Sequence, residues 1–119
     1  MRVLIVHDDA EHAGMIAEAL RQEGLIAHVA YGRDIEAPFT FTHDYDVIVL
    51  DRDTPALTAE AARRRLGSLR ARILLIASAG DDDLPVAADA RLTKPFTFSE
   101  LVERVCALGA GGEHYKLVL

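Results

Sequence analysis

Residues 45–55 read Tyr-Asp-Val-Ile-Val-Leu-Asp-Arg-Asp-Thr-Pro. Four apolar residues, Val47 to Leu50, three of them β-branched, stand between acids. So short and continuous an apolar run suits a strand buried on both faces, because a strand with one wet face would alternate. It stops at Asp51-Arg52-Asp53, and Thr54-Pro55 turns the chain away. Outward from this stretch, similar runs occur at Val3–Val6, Leu25–Ala30 and Ile73–Ala77, with a weaker one at Ala90–Thr93.

Crossover helices fit between these runs. The clearest spans about Ala10 to Glu23, with Ala13, Ile16, Ala17 and Leu20 at helical spacing and Gly24 as its stop. A second follows Pro55, from about Thr58 to Leu66, ended by Gly67. A third follows Pro95, capped by Ser99 or Thr97, with Leu101, Val102, Val105 and Leu108 along one face. Asp34–Thr42 contains Pro38, so any helix there is short or distorted. Gly80–Asp89 holds three consecutive aspartates and Pro85 and reads as a loop or one turn. The βαβ rhythm predicts an α/β domain with a mostly parallel sheet covered on both faces.

In such sheets ligands bind beyond the carboxyl ends of the strands. Those ends carry His7-Asp8-Asp9, Asp51-Arg52-Asp53, Ser78-Ala79 and Lys94-Pro95. Carboxylates brought together repel unless a cation lies between them, and oxygen donors suit Mg²⁺. A lysine and a serine beside that cation favour a phosphoryl group, whose oxygens need positive charge and hydrogen bonds. The rim reads as a place to hold a phosphoryl group on or near an aspartate.

Composition narrows the alternatives. The chain has 119 residues, 50% hydrophobic and 27% charged, which suits one soluble domain. Its net charge of -6 argues against nucleic acid as a partner of this domain, since a duplex binder needs a basic face. The arginines Arg63, Arg64, Arg65, Arg70 and Arg72 read as a solvated helix end. The single cysteine, Cys106, excludes an intramolecular disulfide and reads as a packed small apolar residue. Nothing resembles a signal peptide or a membrane span, so a cytoplasmic location is expected.

The segments LIVHDD (4–9), YDVIVLDRDTP (45–55), LLIASA (74–79) and LTKPFTFSEL (92–101), in order and at these separations, resemble the receiver domain of two-component response regulators. The resemblance covers residues 1–108, and the first fifty residues look most like regulators with a DNA-binding domain after the receiver. It implies a flavodoxin-like (βα)5 doubly wound sheet of order 2-1-3-4-5. Asp51 matches the phosphoacceptor, served by a sensor histidine kinase or phosphotransfer protein. Asp8 matches a direct Mg²⁺ ligand, beside Asp51 and the backbone carbonyl of Asp53. Ser78 matches the hydroxyl and Lys94 the ammonium that hold the phosphoryl oxygens. The implied role is a signalling switch controlling a partner or a DNA-binding output, at most dephosphorylating itself, and not an enzyme.

Three departures stand out. His7 occupies the place of the family's first acid, which holds Mg²⁺ through water. The site is then either tuned or weakened, or His7 tips outward and Asp8 with Asp51 suffices. Arg91 stands where the family carries an aromatic switch residue, so that switch is expected to be absent and Arg91 to be solvated or paired with a partner's acid. Only fifteen residues separate Ser78 from Lys94, so the fourth helix is expected to be short or missing. Asp81–Asp83 reads as a solvated acidic loop. His12, His28, His43 and His114 show no metal-ligand spacing and carry no assigned role.

Residues 109–119 read as a glycine-rich linker and a strand-like tail, either the start of an effector domain, the favoured expectation, through which any DNA binding would act, or a tail that pairs with a neighbouring subunit. The departures support a second reading, an atypical receiver that works without phosphorylation as a dimerisation or protein-interaction module. An isologous homodimer is the expected assembly. An unrelated enzyme on a similar scaffold is the third class, and the chain lacks a glycine-rich phosphate loop for it.

Overall fold

The computed structural model describes residues 1–32, 34, 45–55, 60–80 and 87–109. The elements run β1 (Arg2–Val6), α1 (Ala10–Gln22), β2 (Ile26–Ala30), β3 (Val47–Asp51), α2 (Glu60–Gly67), β4 (Arg72–Ser78), β5 (Ala90–Lys94) and α3 (Phe98–Gly109). All neighbouring strands pair in parallel, in the order β2-β1-β3-β4-β5. The chain steps from β1 outward to β2 and then returns to β3 on the other side. The order therefore reverses between β1 and β3, the place beyond whose carboxyl ends ligands bind in sheets of this kind.

Strand alternation divides the core into two layers. Val3 and Ile5 of β1, Val47 and Val49 of β3, and Leu74 and Ile76 of β4 pack under Ala13, Ile16, Ala17 and Leu20 of α1 and Leu101 and Val105 of α3. The intervening Leu4, Val6, Ile48, Leu50, Ile73 and Leu75 pack on the other side with Leu66 of α2. Every second residue faces each layer, so the three inner strands need unbroken apolar runs. The edge strands β2 and β5 bury only some of their residues. Truncating a core leucine such as Leu50 to alanine would cost about 2–5 kcal/mol.

Local signals set the element ends. Asp9 caps α1, its side chain accepting from the His12 N–H. Gly24, at φ +83°, ends α1 in a left-handed turn in which the Gly24 N–H reaches the Arg21 carbonyl and the Leu25 N–H the Leu20 carbonyl. Leu25 thus belongs to the helix stop, and β2 begins one residue later than the apolar run suggests. At α3 the choice of cap falls on Thr97. Its hydroxyl accepts from the Glu100 N–H while the Glu100 carboxylate accepts from the Thr97 N–H. Two aspartates align strand entries: Asp46 accepts the Arg2 N–H and Asp89 the Ile73 N–H.

The expectations for most of Asp34–Thr42, for the shortened fourth helix and Asp81–Asp83, and for the tail beyond Gly109 lie outside the described residues, as does the expected start of α2 at Thr58. Among the described residues no helix is long and apolar enough to cross a membrane.

Candidate functional site

The same alternation that builds the core aims the site. His7 lies two residues beyond Ile5, Asp51 two beyond Val49, Ser78 two beyond Ile76 and Lys94 two beyond Leu92. All four predecessors belong to the layer under α1 and α3. Four chemistry-bearing positions therefore follow on one face at the carboxyl rim. Asp51 is in register with Ile76, and Ser78 with Lys94. Ser78 and Lys94 thus stand one pleat further out than Asp51, and the long lysine side chain spans the difference.

Asp51 is buried, 3% exposed. Its Oδ1 accepts the Asp53 N–H at 2.8 Å. Its Oδ2 takes no aligned hydrogen bond from the described residues. Compensation comes instead from charge, with the Lys94 ammonium 3.0 Å from Oδ2. Lys94 also reaches Asp53 Oδ2 at 3.5 Å. Partial burial pulls the Lys94 pKa down, but the close approach to Asp51 and the charge of Asp53 outweigh it and hold the ammonium above its ordinary value. Lys94 stays protonated.

His7 turns inward. Its Nε2 lies 3.3 Å from Asp51 Oδ2 and 3.0 Å from Nδ1 of His12. Its Nδ1 accepts the Asp9 N–H at 3.1 Å. Burial lowers its pKa below the ordinary 6.5 and prevails over the opposing charge of Asp51. The ring is neutral at physiological pH. The outward-tipping alternative for His7 is not what the structure adopts.

Asp8 leans the other way. Its Oδ1 accepts the Gly32 N–H at 2.7 Å, on the β2 side of β1 and away from β3. Among the described residues no three carboxylate, imidazole or thiol side chains gather into a metal-holding group. The oxygen donors the sequence nominates for a cation are the carboxylates of Asp8 and Asp51 and the Asp53 carbonyl, and of these the structure turns Asp8 toward Gly32. Asp51, whose buried Oδ2 accepts no aligned hydrogen bond, is a carboxylate a hard cation can use. Oxygen donors of this kind suit a hard cation such as Mg²⁺.

At the β4–β5 edge, the Arg91 guanidinium folds back and donates to the Ser78 carbonyl at 2.7 Å. Arg104 of α3 in turn donates to the Arg91 carbonyl at 2.7 Å. The surface arginine expected from the sequence also ties itself, through this exposed hydrogen bond, to the strand bearing Ser78. Cys106 is half-buried, and burial raises its thiol pKa, which suits a packing role. On α2, Arg64 pairs with Glu60 at 3.0 Å on the exposed face.

Sequence reasoning missed His12. It touches His7 edge-on, ring centroids 5.0 Å apart, and lies 6.1 Å from the Phe96 ring. The available signal was the short step from the end of β1 to the Asp9 cap, which sets the first turn of α1 over the strand end.

The chain is 39% identical over 116 residues to the transcriptional regulatory protein CutR of Streptomyces coelicolor, a match covering 92% of this chain and 54% of that protein. It is 31% identical over 115 residues to the cell cycle response regulator CtrA of Brucella ovis, covering 91% of this chain and 50% of that protein. The chain spans about half the length of these curated relatives. No family model matches. Among solved structures, the receiver domain of the Francisella response regulator 1452 superposes with a TM-score of 0.76 at 27% identity, covering 93% of this chain and 98% of that one. The response regulator TrrA of Thermotoga maritima, in complex with Mg²⁺ and BeF, superposes with a TM-score of 0.72 at 29% identity, covering 90% and 97%. Sheet order and relatives agree, and the chain belongs to the receiver domains of two-component response regulators.

Proposed function

We propose that Asp51 accepts a phosphoryl group from the phosphohistidine of a sensor histidine kinase or phosphotransfer protein, and that its state controls a partner or a DNA-binding output. Asp51 Oδ2 forms the new bond to phosphorus while the P–N bond breaks and its electron pair leaves with the donor imidazole. Oδ1, engaged by the Asp53 N–H, keeps the carboxylate oriented. Lys94 pairs with the transferred oxygens and Ser78 donates its hydroxyl to them. Bound by Asp8, Asp51 and the Asp53 carbonyl, Mg²⁺ would supply neutralisation of the charge on those oxygens. The role is signalling in the cytoplasm, with homodimerisation and an effector domain beyond this segment as its means of output.

The observation that carries this reading is a buried carboxylate oxygen at the rim, unmatched by an aligned hydrogen bond and 3.0 Å from an ammonium. One observation favours the second reading, an interaction module that works without phosphorylation: a neutral imidazole contacts Asp51 at the β1 end.

Mass spectrometry after incubation with a small-molecule phosphodonor, with and without Mg²⁺, separates the two. The expected result is an adduct that needs Mg²⁺ and disappears in Asp51→Asn. No adduct, together with no Mg²⁺ binding at millimolar concentration, establishes the second reading.

A further inference from the structure

The proton on His7 has its position set by the chain around it. The Asp9 N–H donates to Nδ1 at 3.1 Å, so Nδ1 must present its lone pair and the neutral ring carries hydrogen on Nε2. That hydrogen has two acceptors within reach, His12 Nδ1 at 3.0 Å and Asp51 Oδ2 at 3.3 Å. The His7 side chain is only 12% exposed, and His12, beside Phe96, backs it from α1. A donor shared between two acceptors moves to whichever becomes the stronger.

Phosphorylation of Asp51 would change that balance. It adds to one carboxylate oxygen a group whose three terminal acceptor oxygens share about two negative charges, beside a donor already 3.3 Å from the attachment atom. An acid at position 7 would repel those oxygens and could approach them only across a cation. A neutral imidazole N–H can bind them directly. We propose that His7 is a phosphoryl-binding residue: its Nε2–H rests on His12 and shifts to an oxygen of the group on Asp51. The proposal rests on Asp51 being the phosphoacceptor. His12 is then the resting acceptor, and its contact with His7 loosens as the group binds.

Beryllofluoride, a phosphoryl mimic, provides the test on the whole chain at saturating Mg²⁺. Affinity is measured by ¹⁹F NMR for the native chain, His7→Gln, His7→Leu and Asp51→Asn. Gln keeps an amide donor at similar reach and Leu has none. One hydrogen bond to a charged acceptor contributes about 1.5–3 kcal/mol, so His7→Leu is expected to bind roughly 10–150-fold more weakly, with His7→Gln close to native. Long-range ¹H–¹⁵N spectra of the native chain should show hydrogen on His7 Nε2 throughout, with the His12 Nδ1 resonance moving on beryllofluoride addition. This second measurement needs no substitution. Native-like binding by a folded His7→Leu, or hydrogen found on His7 Nδ1, overturns the role of His7 alone. If the native chain binds beryllofluoride no better than Asp51→Asn, the reading of Asp51 fails and the role of His7 fails with it.

Discussion

Strand β5 carries two cations three residues apart, and the pleat sends them to opposite faces. Lys94, in register with Ser78, follows the layer under α1 and α3 and meets the carboxylates of Asp51 and Asp53. Arg91, in register with Leu75 of the opposite layer, donates to a backbone carbonyl. The first contact joins unlike charges at a buried atom, the contact that the proposed function passes to an incoming phosphoryl group. The second joins a guanidinium to a neutral acceptor at an exposed edge, where it braces strand ends. One strand thus separates a chemical cation from an architectural one, and parity does the sorting.

The sharpest way to break that division is to remove each cation in turn. Lys94→Met should slow phosphorylation of Asp51 by about 100-fold, the scale of losing one preorganised charge that faces developing negative charge. Arg91→Met should leave the rate within about twofold. Both rates can be followed by intact-mass spectrometry with a small-molecule phosphodonor at saturating Mg²⁺. Equal losses in the two variants would show that Arg91 also serves the chemistry.

The β1 end sharpens the comparison further, because there a neutral donor stands where an acid would serve a metal. His7→Asp should tighten Mg²⁺ binding about tenfold, or about 1.4 kcal/mol, as measured by calorimetry. Unchanged affinity would mean that Asp8, held by the Gly32 N–H, limits the site instead. At the architectural cation, Arg91→Met should cost about 0.5–1.5 kcal/mol in urea unfolding, the net worth of a hydrogen bond. A loss several times larger would assign Arg91 a packing role in the β4–β5 edge.

Much of this was written in the alternation of the chain. The runs around Val3, Val47 and Ile73 announce strands because both faces of the sheet are covered, and each ends on a residue with chemistry. Leu25 misled at the start of β2 because its backbone, rather than its side chain, is committed to the helix stop. The sequence could not show Arg91 on the Ser78 carbonyl, since a backbone acceptor has no residue type to read. Nor could ligand spacing find His12, because its contact with His7 depends on where the Asp9 cap starts α1.

The smallest expected effect is a pH dependence that belongs to His7. Its pKa in the folded chain lies below the unfolded value of 6.5, chiefly because burial disfavours the charged ring. As pH falls through 6.5, the unfolded chain therefore takes up the proton first. Stability then declines with falling pH, and the loss levels off once pH passes below the folded value. Well above 6.5 both forms are neutral and His7 contributes no slope. Urea midpoints of the native chain and His7→Gln, compared at pH 7.5 and pH 5, isolate this linkage because the remaining titrating groups are common to both. The native chain should lose more than the variant. A native chain that gains relative to His7→Gln at pH 5 would mean that the charge of Asp51, 3.3 Å away, outweighs burial. In that case the β1 end would hold a cation in acid, and the division between neutral donor and charged lysine would disappear there.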